Sequence, residues 1–413
     1  MIALGVLLTG LLAGLSMQSD STDIFGNTSF GGVQFSSGGG GVAVAVILAS
    51  GLAMVVRRRS ILAGLSIASA VVTGVSVLLF PSDLIRVLAG GVLLGCAAVQ
   101  ANSRRILQAL LTGSFLLGLL GAGAVEALQY PGIPRGYADY LTESDLGTPL
   151  FVPVLCALVV LTAAWAAPVD LSRQGPPSDR RIRTVGAILL IAVGGLLIDM
   201  VFAYDLFGNV DSVTGSWYFG ILVLPVLFAA AGLLPGRGGV MVLAGTAVLL
   251  TSTTTSGVGI DVSDGVWVLV VVAVTAVAVA AGTASGLRWG HPLIGIALLA
   301  LVCVTALFDS PPLDNVNYVA SLVAFPAAAA YLYVSCSRTG PTASALGLAV
   351  PLAITVPMVV TYGWTAYTPL TSAITSTSWS DLWLSAGAAF APVVLCGVGI
   401  WALNHYWPSE ETT

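Results

Sequence analysis

The chain has 413 residues, 57% of them hydrophobic and 8% charged, with a formal net charge of −5 at pH 7. A soluble domain carries about 25% charged residues. A chain this apolar cannot present a water-soluble surface, so its solvent is lipid and its expected class is a polytopic, all-α transmembrane helical bundle in the plasma membrane.

Apolar runs recur from end to end. They predict helices at 2–17, 42–56, 61–80, 87–102, 106–127, 149–167, 185–204, 217–235, 239–252, 265–284, 292–308, 318–336, 343–361 and 384–403. That is about fourteen helices arranged as hairpins, twelve to fourteen if the shorter ones do not span a hydrocarbon core of about 30 Å. The first run has the length of a signal-peptide core but no basic start and no small-x-small cleavage site, so it is read as a retained helix. The connection 18–41 is rich in Gly, Ser and Asn and is expected to be a flexible loop. The widest arginine-bearing gap, 168–184, divides six helices from eight within a single membrane domain spanning 1–413.

The gaps carry the orientation. Arg57, Arg58, Arg59, Arg104, Arg105, Arg173, Arg180, Arg181, Arg183, Arg237, Arg288 and Arg338 fall in alternate gaps, and the chain has no lysine. Only Arg86 and Arg135 fall in the others, where most of the acidic residues gather. Basic residues in short loops stay cytoplasmic, so both termini are expected inside. The absence of lysine points to a GC-rich prokaryotic genome. Trp217, Trp267, Trp364, Trp379 and Trp383 mark one interface and Trp165, Trp289, Trp401 and Trp407 the other, as two aromatic belts.

Gly10 and Gly14 form a GxxxG, as do Gly91 and Gly95, spacings that let helix backbones approach closely or offer a face to a partner. Pro153, Pro225, Pro326, Pro351, Pro357 and Pro392 are expected to bend their helices. Asp211 with Trp217, Asp264 with Trp267, and Asp314 with Tyr318 recur at about one hairpin's length, the pattern of a duplicated hairpin.

The chemistry is sparse. Cys96, Cys156, Cys303, Cys336 and Cys396 lie in apolar segments and read as packing residues, so no metal or other cofactor is expected. Gly363 to Leu370 resembles a loop of haem-copper oxidase catalytic subunits. Haem ligation needs histidines inside helices, however, and His291 and His405 both fall at the arginine side, which excludes that function. No nucleotide-binding glycine pattern opens a helix after a strand, so ATP-driven transport would need a separate subunit. Nothing calls for a nucleic-acid partner.

Charges deep in spans mark ion pathways. Here the candidates are Asp199, flanked by Ile198 and Met200, and Glu126 at the outer end of its helix. Asp20, Asp23, Arg86 and Arg135 are the further outer-face candidates for contacting a polar head group. The leading expectation is transport or handling of an apolar or lipid-linked molecule. The alternatives are a non-catalytic subunit or scaffold of an envelope complex, with membrane-protein partners, and an outer-face glycosyltransferase. The last would use an acidic base in an early loop, Asp20 or Asp23, with Arg86 and Arg135 on a lipid phosphate.

Overall fold

The computed structural model describes residues 2–17, 28–30, 33–35, 37–56, 58–79, 83–102, 104–129, 151–165, 178–208, 214–217, 222–255, 265–308, 314–337, 339–354, 360–363 and 379–406. Its helices are α1 (Ile2–Met17), α2 (Ser37–Val55), α3 (Arg59–Leu78), α4 (Asp83–Ala101), α5 (Arg105–Gln129), α6 (Phe151–Trp165), α7 (Ser178–Gly208) and α8 (Val223–Leu233). They continue with α9 (Gly238–Ser252), α10 (Gly265–Trp289), α11 (Pro292–Thr305), α12 (Asp314–Val319), α13 (Phe325–Cys336), α14 (Pro341–Ala353) and α15 (Trp379–Tyr406). A π-helical turn, Ala320–Ala324, joins α12 to α13 in one rod. The result is fourteen rods, one for each predicted apolar run. Among the described residues, seven are long and apolar enough to cross a membrane, and seven more are shorter apolar helices.

Prolines set several boundaries. Pro153 and Pro225 stand in the first turns of α6 and α8, and Pro292 and Pro341 open α11 and α14. A first-turn N–H has no intrahelical acceptor, so proline costs nothing there. This corrects the expectation that Pro153 and Pro225 bend helices: they begin them, which is why α8 starts at Val223 and not at 217. Pro326 stands two residues after the π turn and has no N–H to give the preceding turn, so the ladder slips to a wider ring there. Among the described residues, Pro351 and Pro392 are the prolines that lie in helix interiors beyond the first turn. Helix α14 ends at Ala353, with Ile354 extended, and Pro357 lies outside the described residues.

Ser37 to Gly41, expected as flexible loop, form the first turn of α2. At the end opposite the arginines, β1 (Thr28–Phe30) pairs antiparallel with β2 (Val33–Phe35), and β3 (Thr214–Trp217) with β4 (Val360–Gly363).

The packing repeats. Helix α1 packs on α4, α5 and α6; α2 packs on α4; and α3 packs on α4 and α6. Later in the chain α9 packs on α13, α14 and α15; α10 packs on α13; and α11 packs on α13 and α15. Replacing α1–α6 in order by α9, α10, α11, α13, α14 and α15 turns the first set into the second. Between the two sets, α2 meets α14 and α5 meets α10, and the same replacement exchanges these two seams. The bundle is therefore two six-helix halves related by a two-fold exchange. Helices α7 and α8 stand outside it as a hairpin, with α7 on α2 and α14 and α8 on α9.

Burial follows this plan. Every residue from Gly238 to Thr251 of α9 is buried, and α4, α13 and α14 are nearly as enclosed. The outer helices expose Val71, Leu161, Val277, Leu301 and Val398, side chains as apolar as the core. Water would penalise such a surface, whereas lipid does not.

Helices close on one another through small residues. A Cβ on Gly14 would strike the backbone of α5 at Phe115, and one on Gly118 the backbone of α1 at Leu11. A Cβ on Gly95 would lie 2.6 Å from the Ala49 carbonyl oxygen. Gly91 meets Ala45 in the same way, so Gly91 and Gly95 are spent on α2 and offer no lipid-facing partner surface. In the second half Gly282 meets Ala327 and Gly286 meets Tyr331 across α10 and α13.

Candidate functional site

Polar bonds from α5 close the two halves on one another at the arginine end. Gln108 lies one turn into that helix and is buried. Its Nε2 donates to the backbone oxygen of Thr339 at 3.2 Å and to Asn102 Oδ1 at 3.4 Å. Thr339 sits in the turn between α13 and α14, so the first bond crosses from one half to the other. Beside it Arg105 Nη2 donates to the Gly286 oxygen at 3.2 Å. Gly286 is in the last turn of α10, where carbonyls lack intrahelical partners and the helix dipole is negative. A cation on those carbonyls does the work of an ion pair without an acidic residue. Gly290 follows with φ of 34°, and a Cβ there would lie 2.7 Å from Arg105 Nη2, so glycine keeps the guanidinium in place.

Further bonds brace the second half around this closure. The buried Tyr333 hydroxyl donates to the Gly347 oxygen at 3.1 Å, fixing α13 to α14. The His291 backbone N–H donates to the Tyr331 hydroxyl at 3.3 Å. Thr339 Oγ1 and Ser344 Oγ are 3.3 Å apart.

At the opposite end the second half gathers hydroxyls. Thr251, Ser252, Thr253, Thr254 and Thr255 each donate to a carbonyl three or four residues back, closing the end of α9. Thr305 Oγ1 donates to Asn317 Oδ1 at 3.4 Å, and the Ser321 hydroxyl in the π turn is buried with no partner among the described residues.

The sequence-derived candidates scatter. Asp20, Asp23 and Arg135 lie outside the described residues, as does the loop 364–370. Glu126 is on α5, towards the end away from the arginines. Arg86 is half-buried in the first turn of α4, which packs on α5. Asp199 is on α7, which packs on α2, α8 and α14 in the peripheral hairpin. It stands about 24 Å along the axis from Arg183. Gln108, Arg105 and Asn317 were not among the candidates. The available signal was a glutamine one turn into an apolar run. Among the described residues no three His, Cys, Asp or Glu come together to hold a metal ion.

Two apolar crevices lie away from the seams. One of about 620 Å³ runs between α11 and α15 from Leu293 and Trp401 to Val304 and Phe390. The other, about 420 Å³, lies between α3 and α6 around Gly74 and Cys156. Each is contained within one half.

No protein-family model matches the sequence, and no curated protein matches it. Solved structures do resemble it in fold. The major facilitator superfamily (MFS) proton:xylose symporter XylE, bound to 6-bromo-6-deoxy-D-glucose, is 14% identical over 98% of each chain, with a TM-score of 0.50. The MFS transporter FucP, in its outward conformation, is 14% identical over 99% of this chain and 98% of its own, also with a TM-score of 0.50. Those transporters are bundles of twelve membrane-spanning helices. Setting the α7–α8 hairpin aside leaves twelve rods here. The chain is a multi-pass membrane protein with the helical-bundle fold of these transporters.

Proposed function

We propose that this protein is a membrane transporter whose two six-helix halves rock about the α2·α14 and α5·α10 seams, passing an apolar or lipid-linked molecule between them. The observation that carries this reading is the two-fold exchange of helix contacts, with a few polar bonds joining the halves at the arginine end. A closure held by Gln108 to Thr339 and Arg105 to Gly286 is small enough to break and re-form, since each bond contributes about 1 to 3 kcal/mol. The cargo class is drawn from the scarcity of buried charge: among the described residues no acidic or basic residue is among the buried ones, and Arg105 is spent on a backbone carbonyl. In this reading the arginine end faces the cytoplasm, and Glu126 on α5 and Arg86 on α4 are the candidates to meet the cargo's polar head on the other side, with Asp20, Asp23 and Arg135 from the outer connections; Asp199, on the peripheral hairpin, stands apart from that path. The GxxxG pairs that would serve a scaffold, Gly10 with Gly14 and Gly91 with Gly95, are consumed inside the chain.

The test is reversible locking. Gln108→Cys with Thr339→Cys places two thiols across the closure, and the five native cysteines are free and buried. In proteoliposomes carrying a fluorescent lipid-linked probe, a cleavable thiol cross-linker should stop transfer and its cleavage should restore it. Transfer that continues at full rate through the cross-link would rule the reading out.

A further inference from the structure

We propose that the α5·α10 seam binds the head group of an anionic amphiphile from the bilayer, with Arg105 and Thr283 as its hydrogen-bond donors. In the closed arrangement both residues hold a buried polar atom, Arg105 Nε and Thr283 Oγ1, with no partner among the described residues. An unmet donor in a low-dielectric interior is costly, and its presence calls for an explanation. Both atoms belong to one seam. Arg105 reaches the Gly286 oxygen, one helical turn along α10 from Thr283. Thr283 Oγ1 faces α5 at Gly113, where a Cβ would come within 2.9 Å of it. Arg105, Ala109 and Gly113 share one face of α5, so apart from the arginine the wall opposite Thr283 is backbone and a single methyl. A guanidinium N–H and a hydroxyl on the same seam match an acceptor-rich anion such as a phosphate or carboxylate. As the seam parts, such a group supplies the acceptors that the closed state lacks.

The bilayer is its source because the two seams differ. The α7–α8 hairpin covers the α2·α14 seam, and no helix of the described structure stands in the equivalent place beside α5·α10. Ile106 and Val277, on the two helices of that seam, are 61% and 69% exposed, an apolar flank for a tail. Arg105 lies at the arginine end, next to Arg104 in sequence, and Thr283 stands five residues before Arg288 on α10. There a lipid phosphate meets cationic side chains at the membrane boundary.

This proposal rests on the transporter reading for the parting of the seam, so the test separates the two. Purified full-length protein in a neutral maltoside detergent is titrated with dodecyl phosphate and followed by native mass spectrometry. Saturable one-to-one binding is expected. Arg105→Gln should weaken it about tenfold or more, and the isosteric Thr283→Val several-fold, while Thr283→Ser retains it. Thr283→Val also covers the case in which Arg105→Gln fails to fold. Binding indifferent to both Arg105→Gln and Thr283→Val overturns the proposal. Inorganic phosphate competing as well as dodecyl phosphate overturns it too, because the ligand would then be a soluble anion. The Gln108→Cys/Thr339→Cys cross-link should reduce binding. If it leaves binding intact while Arg105→Gln abolishes it, the site stands and the rocking of the halves does not.

Discussion

Gln108 is the residue on which the closure turns. Its amide is buried, and the carbonyl it meets on Thr339 belongs to the other half. Replacing it with leucine keeps the volume roughly constant but leaves that carbonyl unmet, a cost of about 1 to 3 kcal/mol to the closed state alone. Gln108→Leu should therefore shift the protein towards opening at the arginine end. A cysteine at Ser344, buried beside Thr339, reports this: its labelling by a water-soluble maleimide should speed up about tenfold or more. An unchanged rate would mean that the bond to Thr339 does not hold the halves. Tyr333 offers a contrast. Its hydroxyl bond to Gly347 lies within one half, so Tyr333→Phe should lower thermal stability in detergent, by about 1 kcal/mol, without changing the Ser344→Cys labelling rate. The sequence marked neither residue, because a single polar side chain in an apolar run has no periodicity to reveal its partner, and here the partner of Gln108 is a backbone atom more than two hundred residues away.

At the scale of elements, what was legible follows from hydropathy and what was not follows from partners. Each apolar run became a rod, because lipid demands a satisfied backbone over every crossing. The ends erred where charge was read as loop: α7 begins at Ser178 and takes in Arg180, Arg181 and Arg183. Its 31 residues make a rod of about 46 Å, longer than a hydrocarbon core of about 30 Å, so its arginine turns project beyond the lipid. The glycine spacings were visible, but not what they meet. In the first half the glycines are on α4 and the alanines on α2, whereas in the second Gly282 and Gly286 are on α10 and the larger residues on α13. The same close approach is built from opposite sides, so the contacts, and not the glycine positions, reveal the relation between the halves. The contacts give a paired prediction. Gly95→Leu must force α2 and α4 apart, and purified protein should lose its monodisperse size-exclusion peak. Gly64→Leu, on α3 with nothing near its Cβ position, should leave that peak intact. Equal behaviour of the two variants would show that the α2·α4 approach is not required for folding.

The whole molecule is asymmetric in one respect, since a hairpin sits beside one seam and not the other. Its two ends explain how it can be there. Helix α6 finishes at the arginine end and α9 starts there, so an inserted pair of antiparallel rods returns the chain to where it left and leaves both halves undisturbed. The strand pair β3·β4 then ties the far end of the hairpin to the connection between α14 and α15. If the halves are the structural units, removing residues 178–233 should leave a bundle that still forms. The linker left between Trp165 and Gly238 spans up to about 50 Å when extended, ample to join two helix ends on the same face. The excised protein should stay monodisperse and still cross-link between Gln108→Cys and Thr339→Cys. Its thermal stability should fall, because faces of α2, α14 and α9 become lipid-exposed and lose their close packing. Dodecyl phosphate binding should then no longer depend on the α5·α10 seam alone, because the hairpin is what closes the second approach. Aggregation of the excised chain under conditions where the intact one is monodisperse would place α7 and α8 inside the folding unit and make the bundle one of fourteen interdependent helices.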